Sequence, residues 1–324
     1  MKHIITICIS ALFCVTAMAQ QSHVVAFYNV ENLFDTINSP TTADENMLPL
    51  ADRQWSTEKY KAKLKNISSA IAGIAAQHNY PTLMALAEVE NRAVLEDLIA
   101  EPTLAPASYA ICLYDSPDER GIDVALLYRP DKFHLQGSKA IPAKDDNPTR
   151  DILTVWGTID NEPIFAAIVH WPSRIGGVKF TEPQRIACAE QLRTIVDSVQ
   201  HHNPSSKIII MGDMNDNPRN KSIAKTLGAK RKTSNLAHTD LYTPFSNTKR
   251  GSSVYDNKWN HYDNIIISAN MLRGEGLRLH KNAGYIFSHP DMFDKRGYPL
   301  PTYRGVEYLG GASDHLPIYV IISK

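Results

Sequence analysis

Carboxylates, amides and imidazoles recur where apolar runs end. Asn29 follows Phe27-Tyr28, Glu88 follows Met84-Ala-Leu-Ala87, His170 follows Ala166-Ala-Ile-Val169, and Asp213 follows Ile208-Ile-Ile-Met-Gly212. Asp314 and His315 stand between the Gly310-Gly311 doublet and the apolar run from Ile318. Asp213 and Asn215 in GDMND are two residues apart, so a strand that continued through them would point both side chains the same way. Taken singly, each has an ordinary structural reading: a D-x-N turn, a satisfied histidine, a capping glutamate. Taken together, Glu88, Asp213 and Asp314 with Asn29 and Asn215 are oxygen donors without thiolates, a set suited to Mg²⁺ or Mn²⁺ rather than structural zinc. His170 and His315 are of the type that moves protons near neutral pH when a carboxylate orients them. Arg120, Arg150 and Arg174 are fork donors able to grip phosphate oxygens in pairs. A hard cation, carboxylates, histidines and arginines describe metal-assisted phosphoester hydrolysis.

The elements that must carry these residues follow from periodicity. Val24–Tyr28, Thr82–Ala87, Tyr109–Leu113, Asp123–Tyr128, Ile152–Ile159, Ile164–Val169, Lys207–Met211, His261–Ser268 and Ile318–Ile322 read as strands. Tyr60, Leu64, Ile67, Ile71 and Ile74 recur at spacings of four and three, which makes one apolar stripe on a helix beginning at Ser56. Asn91–Ala100 reads as a second helix. Thr181-Glu182-Pro183 reads as the start of a third, running to about Gln200, and Arg219–Leu227 as a short fourth. The pattern is that of a single α/β domain with many short strands.

Composition sets further bounds. Lys plus Arg equals Asp plus Glu at 34 each, so no global field draws the chain to polyanions and phosphate recognition must be local. The basic run Lys230-Arg231-Lys232 reads as a charged turn or as a backbone track. Trp171, Tyr255, Trp259 and Tyr303 are candidates for stacking on a flat group or for packing. Residues 1–19 show a basic start at Lys2, an apolar run from Ile4 to Val15 and the small-x-small pattern Ala17-Met18-Ala19. That is the grammar of a cleaved signal peptide, and the run is shorter than the ~20 residues of a spanning helix. The expectation is an exported monomer, periplasmic or extracellular, without a stable membrane anchor. Cys112 and Cys188 lie in apolar-patterned segments and read as buried thiols.

The ordered series FYNVEN (Asn29), LAEVEN (Glu88), VHWPSR (His170), GDMND (Asp213, Asn215), HYDNI (Asp263) and SDHLP (Asp314, His315) resembles the endonuclease/exonuclease/phosphatase superfamily, which includes pancreatic deoxyribonuclease. It spans about Val24 to Ile322, and FYNVENLFD, RGIDVALLYRP and VHWPSR are similar to a secreted bacterial endonuclease-like branch. The resemblance implies a four-layer sandwich of two packed mixed sheets flanked by helices. It implies metal binding chiefly by Glu88, with Asn29 and Asp314 near it. Asp263 would orient His315 to activate water, Asp213 and Asn215 would position nucleophile and phosphate, and His170 would contact a phosphate oxygen or help protonate the leaving group. Arg150 resembles the family's phosphate-contacting arginine, and Asp115, Asp118 and Glu119 are all open as the carboxylate partner of His170. Nucleic acid is the substrate the resemblance favours, with sphingomyelin-like phospholipids, inositol phosphates or a catalytically inactive phosphate-binding role as the alternatives.

Overall fold

Strand β1 (Ser22–Leu33) shows why this chain must form layers. Val25 and Phe27 point to one face and Val24, Ala26 and Tyr28 to the other, and all are buried. A strand apolar on both faces needs cover on both. A computed structural model, which describes residues 22–144, 149–248, 250–273 and 275–324, shows how that cover is supplied.

The first sheet has the spatial order β14 (Arg278–Ile286), β17 (Ile318–Ser323), β1, β2 (Leu83–Val89), β4 (Asp123–Tyr128), β3 (Ala110–Leu113). The second runs β5 (His134–Ile141), β6 (Ile152–Ile159), β7 (Glu162–His170), β8 (Lys207–Asp213), β13 (Asp263–Ser268), β10 (Leu241–Tyr242), β9 (Ala229–Lys230). Each sheet has a central parallel pair, β1 with β2 and β7 with β8, flanked by antiparallel neighbours, and the short β10 and β9 at the edge of the second sheet are also parallel. A parallel pair needs a crossover, and helices α1 (Thr57–Gly73) and α3 (Val178–His202) supply it for the two central pairs. Helix α2 (Arg92–Ala100) follows β2, with Asn91 accepting the Val94 amide as its cap. Two hairpins, β11 (Ser253–Tyr255) with β12 (Lys258–Asn260) and β15 (Tyr303–Arg304) with β16 (Glu307–Tyr308), stand outside the sheets.

Side-chain alternation sorts the interior into three cores. Val25, Phe27, Ala85, Leu126, Ile168, Met211, Ile265 and Val320 meet between the sheets. Tyr28, Leu86 and Leu127 face the α1 stripe of Leu64, Ile67 and Ile71, while Ala167, Ile210 and Ile266 face Leu192 and Val196 of α3. The layers are therefore helix, sheet, sheet, helix, the four-layer sandwich. Cys112 and Cys188 are buried thiols in different cores, with no disulfide between them.

Several boundaries differ from expectation. β1 runs five residues beyond Tyr28, and β5 and β14, half-exposed strands with weak apolar alternation, carry no clear sequence signal. Helix α3 begins at Val178 instead of Thr181, so Pro183 lies inside it. The Thr181 hydroxyl is not a cap: it donates back to the Gly177 carbonyl at 3.1 Å. The segment expected as a short helix from Arg219 condenses to a single π turn, Ser222–Thr226. The signal-peptide reading of residues 1–19 lies outside the described residues.

One charged group ties α3 to the second sheet. Arg185 is fully buried, its Nε 3.1 Å from Asp216 Oδ2, and it donates to the carbonyls of Pro172, Ser173 and Val178 and to the Thr181 hydroxyl. Those carbonyls include two from the VHWPSR loop, and Asp216 follows GDMN directly, so this guanidinium holds two site loops together. Arg185→Met removes one of the two guanidinium groups on Asp216, Arg174 being the other, and takes a donor from three loop and helix carbonyls, for which a loss of about 2–3 kcal/mol is expected by denaturant unfolding. A loss under about 1 kcal/mol contradicts this role.

Candidate active site

The inter-sheet core does not fade into solvent; it ends in polar side chains. Continuing the same alternation, Asn29 follows Val25 and Phe27, His170 follows Ala166 and Ile168, Asp213 follows Ile209 and Met211, and Asp263 precedes Ile265. The parallel strands deliver their carboxyl ends here, and the antiparallel β13 and β17 bring their starts. Glu88 breaks the alternation. It adopts φ +65°, and the register between β2 and β4 shifts beside it, between Ala87 and Val89. This bulge turns Glu88 to the side of Ala87. A glutamate in the left-handed region costs about 1–2 kcal/mol, and Glu31 and Asn32 at φ +48° and +51° add to the strain concentrated at this end.

His315 and Asp263 form the tightest pair, with Nδ1 to Oδ2 at 2.7 Å. That bond leaves His315 Nε2 directed at Asp213 Oδ2, 3.8 Å away. His170 Nε2 reaches the same Asp213 oxygen at 3.8 Å and Glu88 Oε1 at 3.9 Å. Asn29 Nδ2 donates to Glu88 Oε1 at 3.2 Å and to Asp213 Oδ2 at 3.1 Å. Two imidazoles, three carboxylates and one amide thus surround a single point.

The turn bearing Asp314 and His315 is fixed from behind. Ser313 donates to the Asn29 carbonyl at 2.7 Å and accepts the His315 amide at 3.0 Å. Glu31 Oε2 accepts the amides of Asp314 at 3.1 Å and Thr302 at 2.7 Å. Gly311 permits the close approach: a Cβ there would lie 1.8 Å from the Leu300 carbonyl oxygen. The Asp314 side chain is about half-exposed, with Oδ1 4.0 Å from His315 Nε2, so the neighbouring acid and histidine point to different tasks.

Asn215 takes a left-handed conformation at φ +49°, and its amide N–H bonds Asp213 Oδ1 at 2.9 Å. The strand therefore ends before it, and Asp213 and Asn215 do not continue on one face. The Asn215 side chain donates to the Trp171 carbonyl at 3.0 Å. Arg150 is buried and donates to Asp118 at 2.8 Å and to the same Trp171 carbonyl at 3.0 Å. Of the three carboxylates open as partners for His170, Asp118 is thus taken by Arg150, and the His170 Nδ1 is buried without a partner. Arg174 turns to the GDMND loop, donating to the Asn215 carbonyl at 2.7 Å and Asp216 at 2.5 Å while its guanidinium lies over Tyr262. Arg120 is half-exposed, 3.7 Å from Asp118, and lines a cavity of about 220 Å³ with Asn32 and Arg53.

Electrostatics separates the two histidines. Burial alone would lower His315, but Asp263 and then Asp314 and Asp213 outweigh it and hold His315 well above the ordinary imidazole range. Burial holds His170 well below that range, and Arg150, Arg120 and His315 push the same way, so its ring stays neutral at pH 7. Asp213 is pushed up to about 7 by burial and by Asp263, against the opposing pull of His315. Such crowding of carboxylates fits a divalent cation: ligand atoms of Asp213, Asp263 and His315 lie within 4.8 Å of one another, and the donors are oxygens and imidazole. Asn29 Oδ1 accepts the Glu31 amide at 3.0 Å, so it is the amide nitrogen of Asn29 that faces the carboxylates.

Comparison with known proteins agrees with this fold. The profile of the endonuclease/exonuclease/phosphatase family matches residues 24–324. The chain belongs to this family, whose members hydrolyse phosphoester bonds. Among solved structures it is similar to D. rerio TDP2 complexed with single strand DNA product (16% identity, 94% of this chain and 99% of that chain, TM-score 0.58). It is also similar to the human Nocturnin catalytic domain with bound sulfate anion (16%, 94% and 95%, TM-score 0.58) and to a family protein from Bacteroides thetaiotaomicron (17%, 94% and 96%, TM-score 0.57). By sequence, no curated protein matches the chain.

Two site residues escaped the sequence reading. Lys63 of α1 is buried, donates to Thr302 Oγ1 and to the Ala312 carbonyl, and has Glu31, Asp314 and Glu88 as its charged neighbours. A signal existed: Lys63 lies three residues after Tyr60 and four before Ile67, on the apolar stripe itself. Glu31, raised to about 7 by burial and by Asp314, is the second.

The elevated Asp213 carboxyl sets a pH dependence. Its folded pKa exceeds the unfolded value, so its contribution to stability is present at low pH and lost as pH rises through about 7. In metal-free protein, Asp213→Asn is expected to raise Tm relative to wild type at pH 8 and to lose most of that advantage at pH 5. An advantage equal at both pH values contradicts the assignment.

Proposed function

We infer that the protein is an exported, divalent-metal-dependent phosphodiesterase that cleaves nucleic acid by histidine-activated water, with Mg²⁺ or Mn²⁺ as its metal. The observation that carries the reading is the bond between His315 Nδ1 and Asp263 Oδ2, which fixes the ring so that Nε2 faces the carboxylate cluster. Export rests on the signal-peptide pattern of residues 1–19, and among the described residues no helix is long and apolar enough to cross a membrane.

Glu88, Asp213, Asp263 and Asp314 are the residues that would hold the metal, with Asn29 bridging Glu88 and Asp213. When bound, a divalent cation neutralises charge on the phosphate and on this cluster. Asp263, Asp314 and Asp213 favour protonated His315 in the metal-free protein; with the charge of Asp314 and Asp213 taken up by a cation, His315 would be neutral, accept the proton of the attacking water at Nε2, and have Asp263 stabilise the imidazolium that results. His170, held neutral by its surroundings, suits a hydrogen bond to a non-bridging phosphate oxygen better than proton donation to a leaving group. Arg150, already spanning Asp118 and the Trp171 carbonyl, keeps positive charge beside that bond. Arg174 and Asn215 act by holding the GDMND loop, and Arg120 is free to meet substrate.

Histidine bases of this kind contribute about 10²–10⁴ in rate. His315→Ala is therefore expected to lower kcat by that factor with a small change in KM, measured on a cleavable diester with Mg²⁺. Near wild-type turnover contradicts the mechanism. A parallel panel of DNA, RNA, sphingomyelin and inositol phosphates tests the substrate: hydrolysis of a lipid or inositol phosphate with nucleic acid left intact would overturn the nuclease reading.

A further inference from the structure

Helix α1 connects β1 to β2 and covers the first sheet, and its stripe of Leu64, Ile67 and Ile71 suffices for both tasks. Two polar side chains of the same helix reach past the sheet to the active-site turn. Lys63 donates to the Ala312 carbonyl at 3.1 Å, and Asn66 donates to the Gly310 carbonyl at 3.0 Å. Residues three apart are neighbours on a helix surface, so the two donors stand side by side and meet the turn in antiparallel order. The carbonyl between, that of Gly311, is taken by the Thr302 hydroxyl at 3.2 Å, and the same hydroxyl accepts from Lys63. Three consecutive carbonyls leading into Asp314 and His315 are thus held by one ammonium group, one amide and one hydroxyl.

The grip continues through the whole turn. Glu31 accepts the amides of both Thr302 and Asp314, so Lys63, Thr302 and Glu31 form one hydrogen-bonded chain that ends beside the reacting centre. From Gly310 to His315 each residue has a polar group fixed: by α1 at 310 and 312, by Thr302 at 311, by β1 at 313 and 314, and by Ser313 at 315. Gly310, at φ +76°, and Gly311 would otherwise leave the approach to Asp314 and His315 with wide backbone freedom. Folding alone does not account for Lys63. Burying an ammonium group carries a desolvation cost that a well-packed apolar residue at the same place on the stripe would avoid.

We propose that Lys63 and Asn66 are positioning residues for hydrolysis: from α1 they hold the Gly310–Ala312 backbone so that Asp314 and His315 keep their places at the centre. The proposal rests on the phosphodiesterase reading above. His315 must keep Nδ1 on Asp263 while Nε2 faces Asp213, a geometry set by where the turn delivers its backbone. A misplacement of about 1 Å at a reacting group can cost about a hundredfold in rate. Because the turn carries the histidine that activates water, loosening it falls on kcat and leaves KM nearly unchanged.

The test uses two variants of the full chain, Lys63→Met/Glu31→Gln and Asn66→Leu. Glu31→Gln accompanies Lys63→Met so that no buried carboxylate loses its counter-charge while the Thr302 and Asp314 amides keep an acceptor, and Glu31→Gln alone is the reference. Asn66→Leu keeps the shape of the side chain and removes the donor. Each variant is expected to unfold cooperatively and to lower kcat on bis(p-nitrophenyl) phosphate with Mg²⁺ by about tenfold or more, with KM within about twofold. Position is read directly from long-range ¹H–¹⁵N correlation spectra of the histidine rings, with the His315 signals assigned by their loss in His315→Ala. The Nδ1 proton held on Asp263 is expected to shift or broaden in both variants. A His315 spectrum identical to the reference in both folded variants overturns the proposal, as does undiminished kcat in both. If wild type hydrolyses no phosphodiester, the phosphodiesterase reading fails, and the His315 spectrum still decides the positioning role.

Discussion

Asp213 and Asp263 sit directly opposite each other across the β8–β13 pair, and Glu88 joins them through Asn29. Like charges in that position repel, and burial strengthens the repulsion by removing water. Much of the local structure answers this conflict. His315 bonds Asp263, the Asn29 amide bridges Glu88 and Asp213, Arg150 lies near His170, and buried Lys63 stands behind Glu31 and Asp314. Even so, Asp213 remains pushed up to about 7. Surplus negative charge on a strained backbone suits a cation, the role proposed for this site.

The sandwich explains how such a site can be rigid. Most of the participating side chains continue the alternation of a fully apolar strand, so their direction is set by packing several residues away. Loops contribute only where the strands stop, and those loops are themselves held by buried charge, as Arg185 holds the carbonyls of Pro172 and Ser173 together with Asp216. The flank beyond Asp314 is different in kind. It consists of short hairpins and irregular chain, and its exposed arginines can vary without disturbing the centre.

Strand tips made the centre legible in the sequence, because an apolar run followed by Asn, Glu, His or Asp is a local pattern. The inter-sheet face was legible for the same reason. The left-handed turn at Asn215 was not, since a strand that stops and one that continues look alike until Asn215 meets Asp213 Oδ1. Strands β5 and β14 were hidden by their half-exposed faces. Lys63 was hidden by the stripe itself, which invites reading every position as apolar. Of four candidate stacking aromatics, Trp171 and Tyr303 are core residues, and only Tyr255 and Trp259 keep surface exposure. Nothing local separates those pairs, because packing across the fold decides which rings are covered.

The carboxylate centre is proposed as a cation site, and metal-linked stability tests that most directly. Thermal unfolding of wild type at mildly alkaline pH should show Mg²⁺ raising Tm, with about 2.7 kcal/mol gained at a hundredfold excess over Kd, and Glu88→Gln should lose most of that gain. No Mg²⁺-dependent shift in the wild type, or an equal shift in Glu88→Gln, would contradict it.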